Sequence, residues 1–259
     1  QKGGSVEVVN VNYGDDITSN LIKRIDESVA AVAIPHVRWT DGALIDLHKV
    51  RLACDLFNVK LILDLTQSAG AMVTDISSIQ PDFAVISNYK WMLGPYSTAF
   101  LYVSDDFLDG NPLEQTWTGR KDSQNFSRLT DYKTTYQTGA SRFDMGERAN
   151  FSLLPGVKQA LDQLHLWGIS KIQNTLRTNA SILCNELSKL GLTTLSEDKR
   201  APHFISVQLP ENNSSIILSK LRENKIYLSE RSGYLRITPH LWNTTEDFSK
   251  FIQKLNPLI

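Results

Sequence analysis

Two stretches carry most of the chemistry this sequence could do. The apolar run Leu61-Ile62-Leu63 ends in Asp64, followed by Leu65-Thr66-Gln67-Ser68-Ala69-Gly70, and the run Phe83-Ala84-Val85-Ile86 leads through Ser87 into Asn88-Tyr89-Lys90-Trp91-Met92-Leu93-Gly94-Pro95. In open α/β sheets ligands sit outside the carboxyl ends of the strands, so an acid and an amine at two strand ends can both face one. Taken singly, Asp64 reads more readily as the cap of a following turn. Lys90, flanked by Tyr89 and Trp91, stands where desolvation frees a neutral amine for Schiff-base chemistry, yet singly it serves equally as a snorkelling side chain or a carboxylate's partner. Together the two strand ends would bring a carboxylate, an amide, a hydroxyl and an amine to one rim.

The elements that must position these groups follow from pattern. Short β-rich runs alternate with helical stretches over the first hundred residues, which predicts a parallel sheet covered on both faces. Strands are expected at 6–11, 31–34, 60–64, 83–87 and 99–103, with helices at 17–28 and 44–57. Residues 110–138 are polar with scattered aromatics and read as a long ordered excursion. Helices resume near Asn150, and a long one over 170–190 is stopped by Gly191. Strands at 204–208, 227–229 and 234–237 and helices at 214–223 and 245–255 complete a small α+β unit. The expected division is a large domain over 1–166 and a small one over 167–259.

Pyridoxal 5'-phosphate requires the set gathered at that rim: a lysine to hold its aldehyde, an acid to keep the ring nitrogen protonated, and donors for the phenolate and phosphate. The run Asp64-x-x-Gln67-Ser68-x-Gly70, then Ser87-x-x-Lys90 with Gly94-Pro95, resembles the class V aminotransferase family of fold-type I pyridoxal-phosphate enzymes, as does the separation of 26 residues between Asp64 and Lys90. The resemblance extends to His36-Val37 with Gly42, to Arg142-Phe143-Asp144-Met145-Gly146-Glu147, which matches a motif reaching into a partner subunit's site, and to Leu235-Arg236-Ile237-Thr238-Pro239-His240. It implies Lys90 as Schiff-base lysine and general base, Asp64 as partner of the pyridinium and Gln67 as phenolate contact. Ser87 and Tyr89 would lie on the phosphate side, and Arg236 would clamp the substrate α-carboxylate. It further implies a fold-type I large domain, mostly parallel sheet between helices, with a small C-terminal α+β domain, assembled as a homodimer.

Several positions depart from the family pattern. Tyr89 stands in place of a histidine, Trp39 in place of an asparagine, and Ser97 and Ala99 in place of glycines, while Glu147 occupies a position that holds a phosphate-binding threonine in some relatives. Family members also carry an N-terminal segment with a phosphate-cradling helix N-terminus, so the expectation is a fragment of a longer enzyme. The segment 226–240 has no cysteine, which disfavours cysteine desulfuration. The expected activity is the transformation of a small-molecule amino acid, aminotransferase-like or epimerase-like. The competing readings are a cofactor-free scaffold subunit of the same fold and an unrelated nucleotide-binding α/β protein, the latter without a phosphate-loop motif.

Composition bounds the rest. With 41% hydrophobic and 21% charged residues the chain is that of a globular protein, and 27 Lys+Arg against 28 Asp+Glu give a net charge of −1, which supplies no global field for nucleic acid or an anionic membrane. No apolar window is long enough to span a bilayer and no signal-peptide core is recognised, so a cytoplasmic location is expected. The five histidines are too scattered for a metal site, and none is expected. Cys54 and Cys184 fall in expected helices and read as free buried thiols.

Overall fold

The computed structural model describes residues 3–209 and 214–259. Four strands form the larger sheet: β1 (Ala31–Pro35), β2 (Lys60–Asp64), β3 (Phe83–Ser87) and β4 (Ala99–Val103), side by side in that order. β1, β2 and β3 run parallel, with Ile34 opposite Leu63 and Asp64 opposite Val85. β4 is antiparallel to β3. The connection between these two is too short for a crossover helix, so the chain can only turn back on itself and the sheet is mixed.

Helices α1 (Ile17–Ile22), α2 (Leu47–Leu56) and α3 (Ile76–Ile79) are each N-capped by an aspartate, Asp16, Asp46 and Asp75. Those caps fix starts that periodicity misses: Asp46 accepts the Lys49 N–H, so α2 begins at Leu47 rather than residue 44. α1 ends early because Asp26 takes both the N–H and hydroxyl of Ser28 in a local turn that competes with the helix. Ile45, Leu47, Val50, Cys54, Leu61, Leu63 and Ala84 are buried together between α2 and the sheet.

The expected strand at 6–11 is not one. The segment is extended and largely exposed, with Val6 91% accessible, and no strand among the described residues pairs with it. It is held by side chains instead: Arg38 Nη1 donates to the Val11 carbonyl, and just beyond it Tyr13 stacks on Tyr234 with its hydroxyl on the Ser206 carbonyl. Apolar alternation alone does not make a strand; it needs neighbours to pair with and pack against.

Residues 110–153 form a chain of short 3₁₀ turns at Trp117–Gly119, Phe126–Arg128 and Gly139–Phe143. Within it Arg142 is buried and spends its guanidinium on its own loop, donating to the Gln137 and Gly110 carbonyls and pairing with Asp109. α4 (Leu154–Trp167) starts after Asn150, whose side chain accepts two backbone N–H groups, with Pro155 in its first turn. α5 (Ile169–Lys189) ends as expected, with Gly191 at φ +77°.

The second sheet orders β5 (Ile205–Gln208), β7 (Tyr234–Ile237) and β6 (Ser229–Arg231), all antiparallel. β6 lies two residues later than expected because Gly233, at φ +84°, makes the tight return into β7. α6 (Ser214–Glu223) and α7 (Thr245–Leu255) cover it, the latter opened by a capping box between Thr244 and Asp247. Leu183, Leu187, Ile205, Val207, Leu221, Leu235, Phe248 and Phe251 form its core. A third cluster of Ala71, Trp91, Leu164, Ile172 and Leu176 ties the first half of α5 to the turns beyond β2 and β3. Cys54 is a buried thiol in α2 and Cys184 a half-buried one in α5.

Candidate active site

Parallel pairing of β2 and β3 delivers Asp64 and the Ser87–Lys90 turn to the same edge of the sheet, the carboxyl ends of two neighbouring strands. The backbone zips one step further, Leu65 N–H donating to the Val85 carbonyl at 2.9 Å. Asp64 is solvent-exposed, and one of its carboxylate oxygens accepts the Thr66 N–H at 2.9 Å. It is thus a turn cap, with the second oxygen uncommitted among the described residues. Thr66 in turn accepts the Ser87 N–H on its hydroxyl at 3.1 Å and so staples the two strand ends together.

Lys90 is half-buried. Its Nζ lies 5.4 Å from the centroid of the Tyr89 ring and forms no ion pair with the described residues. Tyr89 stacks on Tyr96 at 4.6 Å. The turn carrying Lys90 is closed by Leu93 N–H to the Lys90 carbonyl and Gly94 N–H to the Asn88 carbonyl. It is pressed against the turn after β2 at Gly70, φ +90°, where a Cβ would stand 2.2 Å from the Trp91 carbonyl oxygen; only glycine admits that approach.

Gln67 is buried and oriented by its neighbour. The Trp91 indole N–H donates to Gln67 Oε1 at 3.0 Å, and an indole nitrogen can only donate. The Gln67 amide nitrogen is therefore left as a donor, uncommitted among the described residues. The Gln67 carbonyl accepts from His203 Nε2 at 2.6 Å, across 136 residues of chain.

Arg236 lies at the centre of the second sheet, between Ser206 and Ser229. Its guanidinium carbon lies 4.8 Å from the Phe204 ring centroid and 6.0 Å from that of Trp39, a half-exposed residue shortly beyond β1. Its Nε is buried with no partner among the described residues, and burial, with Arg231 nearby, pulls the guanidinium pKa below its usual value. Three residues past Ile237, His240 stacks on Trp91 at 5.4 Å, so the segment after Arg236 rests against the residue after Lys90.

Burial also sets the histidines. His36, with the nearby His48 opposing its charged form, is pushed down to about 4, and His203 to about 3, mainly by desolvation. His240 is lowered for the same reason.

The structure therefore brings Asp64, Gln67, Ser87, Tyr89 and Lys90 onto two adjoining turns, while the Arg236 guanidinium lies by Phe204 and Trp39. Thr66 and His203 are the residues that sequence reasoning passed over, and Trp91, read only as a neighbour of Lys90, proves also to orient Gln67. Thr66 sits inside the Asp64–Gln67 run and could have been read as a hydroxyl bridging two strand ends; His203 gave no local signal.

The sequence model for the family described as Aminotransferase class-V matches residues 1–238. The chain belongs to the class V aminotransferase family. It is 24% identical over 233 residues to an uncharacterized aminotransferase, YcbU, of Bacillus subtilis, covering 89% of this chain and 60% of that protein. It is 23% identical over 250 residues to a kynureninase of Bacillus cereus, covering 93% of this chain and 57% of that one. Among solved structures, a variant of C-DES with glycine covalently linked to its PLP cofactor superposes with a TM-score of 0.84 at 20% identity, over 95% of this chain and 65% of that one. The fold is that of the fold-type I enzymes. The chain spans about 60% of the length of these curated relatives. No helix among the described residues is long and apolar enough to cross a membrane.

Proposed function

We propose that this chain holds pyridoxal 5'-phosphate at the rim formed by Asp64 and Lys90 and serves the transformation of an amino-acid substrate, aminotransferase-like or epimerase-like. The observation that carries the reading is the parallel β2–β3 pair, which puts at one end of the sheet a carboxylate oxygen and an amine that are both unpaired among the described residues. The residues fit the group. Lys90 Nζ is free of carboxylate partners among the described residues, and the Gln67 amide is fixed as a donor suited to a phenolate oxygen. Ser87 and Tyr89 flank the turn on which a phosphate would rest. When bound, the cofactor supplies an electron sink that stabilises negative charge at the substrate α-carbon.

The protein's own groups then have separable tasks. Lys90 Nζ holds the cofactor and moves a proton at the substrate Cα. Asp64 keeps the ring nitrogen charged by proximity of opposite charge. Arg236, whose guanidinium face lies over Phe204, grips a carboxylate through its planar fork. The absence of a cysteine from 226–240 speaks against desulfuration.

Addition of pyridoxal 5'-phosphate to the purified protein is expected to produce a visible absorbance band that is absent in Lys90→Ala of unchanged circular dichroism. A folded protein that stays colourless, or a Lys90→Ala variant that colours like the parent, contradicts the reading and favours a scaffold.

The same reading includes a homodimer. Leu113, Phe126, Tyr132 and Phe151 along 110–153 are large, apolar and exposed, which suits a surface that a second copy covers. Sedimentation should give twice the chain mass at micromolar concentration, and charged substitutions at Leu113 and Phe151 should lower it; a monomer throughout contradicts the assembly.

A further inference from the structure

His203 is wholly buried in the turn two residues before β5 and touches the site at two points. Its Nε2 meets the Gln67 carbonyl at 2.6 Å, and its ring lies edge-on to Trp91 with centroids 4.4 Å apart. Trp91 in turn donates to Gln67 Oε1, so the three residues close a ring of contacts around a single glutamine. A carbonyl oxygen only accepts, so Nε2 must carry the proton. That leaves Nδ1 as a bare acceptor, and it is buried without a partner among the described residues. A phenyl ring would fill the same volume with no orphaned nitrogen. What phenyl cannot supply is the Nε2–H.

We propose that His203 is a positioning residue: as the neutral Nε2–H tautomer it clamps the Gln67 backbone and seats Trp91, so that the Gln67 amide nitrogen is the one donor left to face the phenolate oxygen of the cofactor. This rests on the proposed pyridoxal-phosphate reading for its target, though not for its geometry. Burial favours the neutral form, and His36, His240 and Arg200 also oppose a charge on the ring, outweighing the Gln67 carbonyl, which favours one. The clamp therefore persists from neutral to mildly acidic pH.

Three measurements test it. In the parent protein without cofactor, the ¹⁵N resonances of His203 should report Nε2–H and bare Nδ1 from pH 5 to 8. A ring protonated on Nδ1 instead overturns the proposal, with no variant needed. In His203→Phe the Trp91 indole N–H, assigned by its loss in Trp91→Phe, should exchange with solvent at least about tenfold faster, while His203→Gln, which retains a donor, should stay within about threefold of the parent. In the loaded enzyme the pH midpoint of the visible band should move up by about one unit in His203→Phe and stay in place in His203→Gln, because a phenolate that loses a donor holds its proton more tightly. Parent-like exchange and midpoint in His203→Phe would falsify the proposal. A protein that takes up no pyridoxal phosphate defeats the functional reading alone, since the tautomer and the exchange rates decide the clamp without it.

Discussion

Asp64→Asn is expected to lower turnover about a thousandfold, roughly 4 kcal/mol of barrier, while leaving uptake of pyridoxal phosphate at Lys90 intact. The substitution separates the two tasks of this side chain. As a cap, Asp64 needs only an oxygen to accept the Thr66 N–H at 2.9 Å, and the asparagine carbonyl supplies one in the same place. The turn between β2 and Gln67 should persist, and the melting temperature should stay within about 2 °C of the parent. What asparagine lacks is the charge. Without an anion beside it the ring nitrogen of the cofactor loses its proton at neutral pH, and its capacity to accept electrons falls with it. Turnover within about threefold of the parent, with uptake unchanged, would reduce Asp64 to the turn cap that it also is.

The contrast between what was readable and what was not follows contact distance along the chain. β1, β2 and β3 are runs such as Ala31–Pro35 and Lys60–Asp64 whose apolar content and bounding turns carry their own signal, and the strand-end acid and amine follow directly from them. Gly191 and the α7 capping box are likewise local rules that the structure obeys. The segment at 6–11 has the same alternation as a real strand, but its fate is decided by distant partners such as Arg38, with Ser206 and Tyr234 holding Tyr13 just beyond it, which no window of sequence contains. The partners of Arg142 within its own chain, at Asp109, Gly110 and Gln137, were illegible for a similar reason, because they are set by how the loop folds back. The Gln67–Trp91–His203 ring joins positions 24 and 136 residues apart in its two hydrogen bonds. Gln67 and Trp91 were each legible for another reason, as a phenolate contact and as a neighbour of Lys90, but His203 was one of five scattered histidines and nothing local tied the three together.

Acid should weaken the fold well before carboxylates titrate. In the folded chain His36 binds a proton only near pH 4 and His203 only near pH 3, whereas both bind one near 6.5 when unfolded. Below 6.5 the unfolded state therefore carries the extra protons, and stability falls as pH falls, up to about 1.4 kcal/mol per pH unit for each histidine until its folded pKa is reached. Both contributions are complete at neutral pH. Between pH 7 and 5 the pair should remove about 4 kcal/mol, a large share of the 5–15 kcal/mol typical of a domain. His240 acts in the same direction. The carboxylates held low by capping contacts, such as Asp16, Asp46 and Asp247, lose their contribution only further down, as pH falls through their own lowered range. Urea midpoints measured at pH 7, 6 and 5 should fall steadily, and His203→Gln, which keeps a donor for the Gln67 carbonyl without a titrating ring, should remove about half of that slope. A midpoint that is flat from pH 7 to 5 would mean that water reaches both imidazoles, and with it that the seam around Gln67 and Trp91 is open in solution.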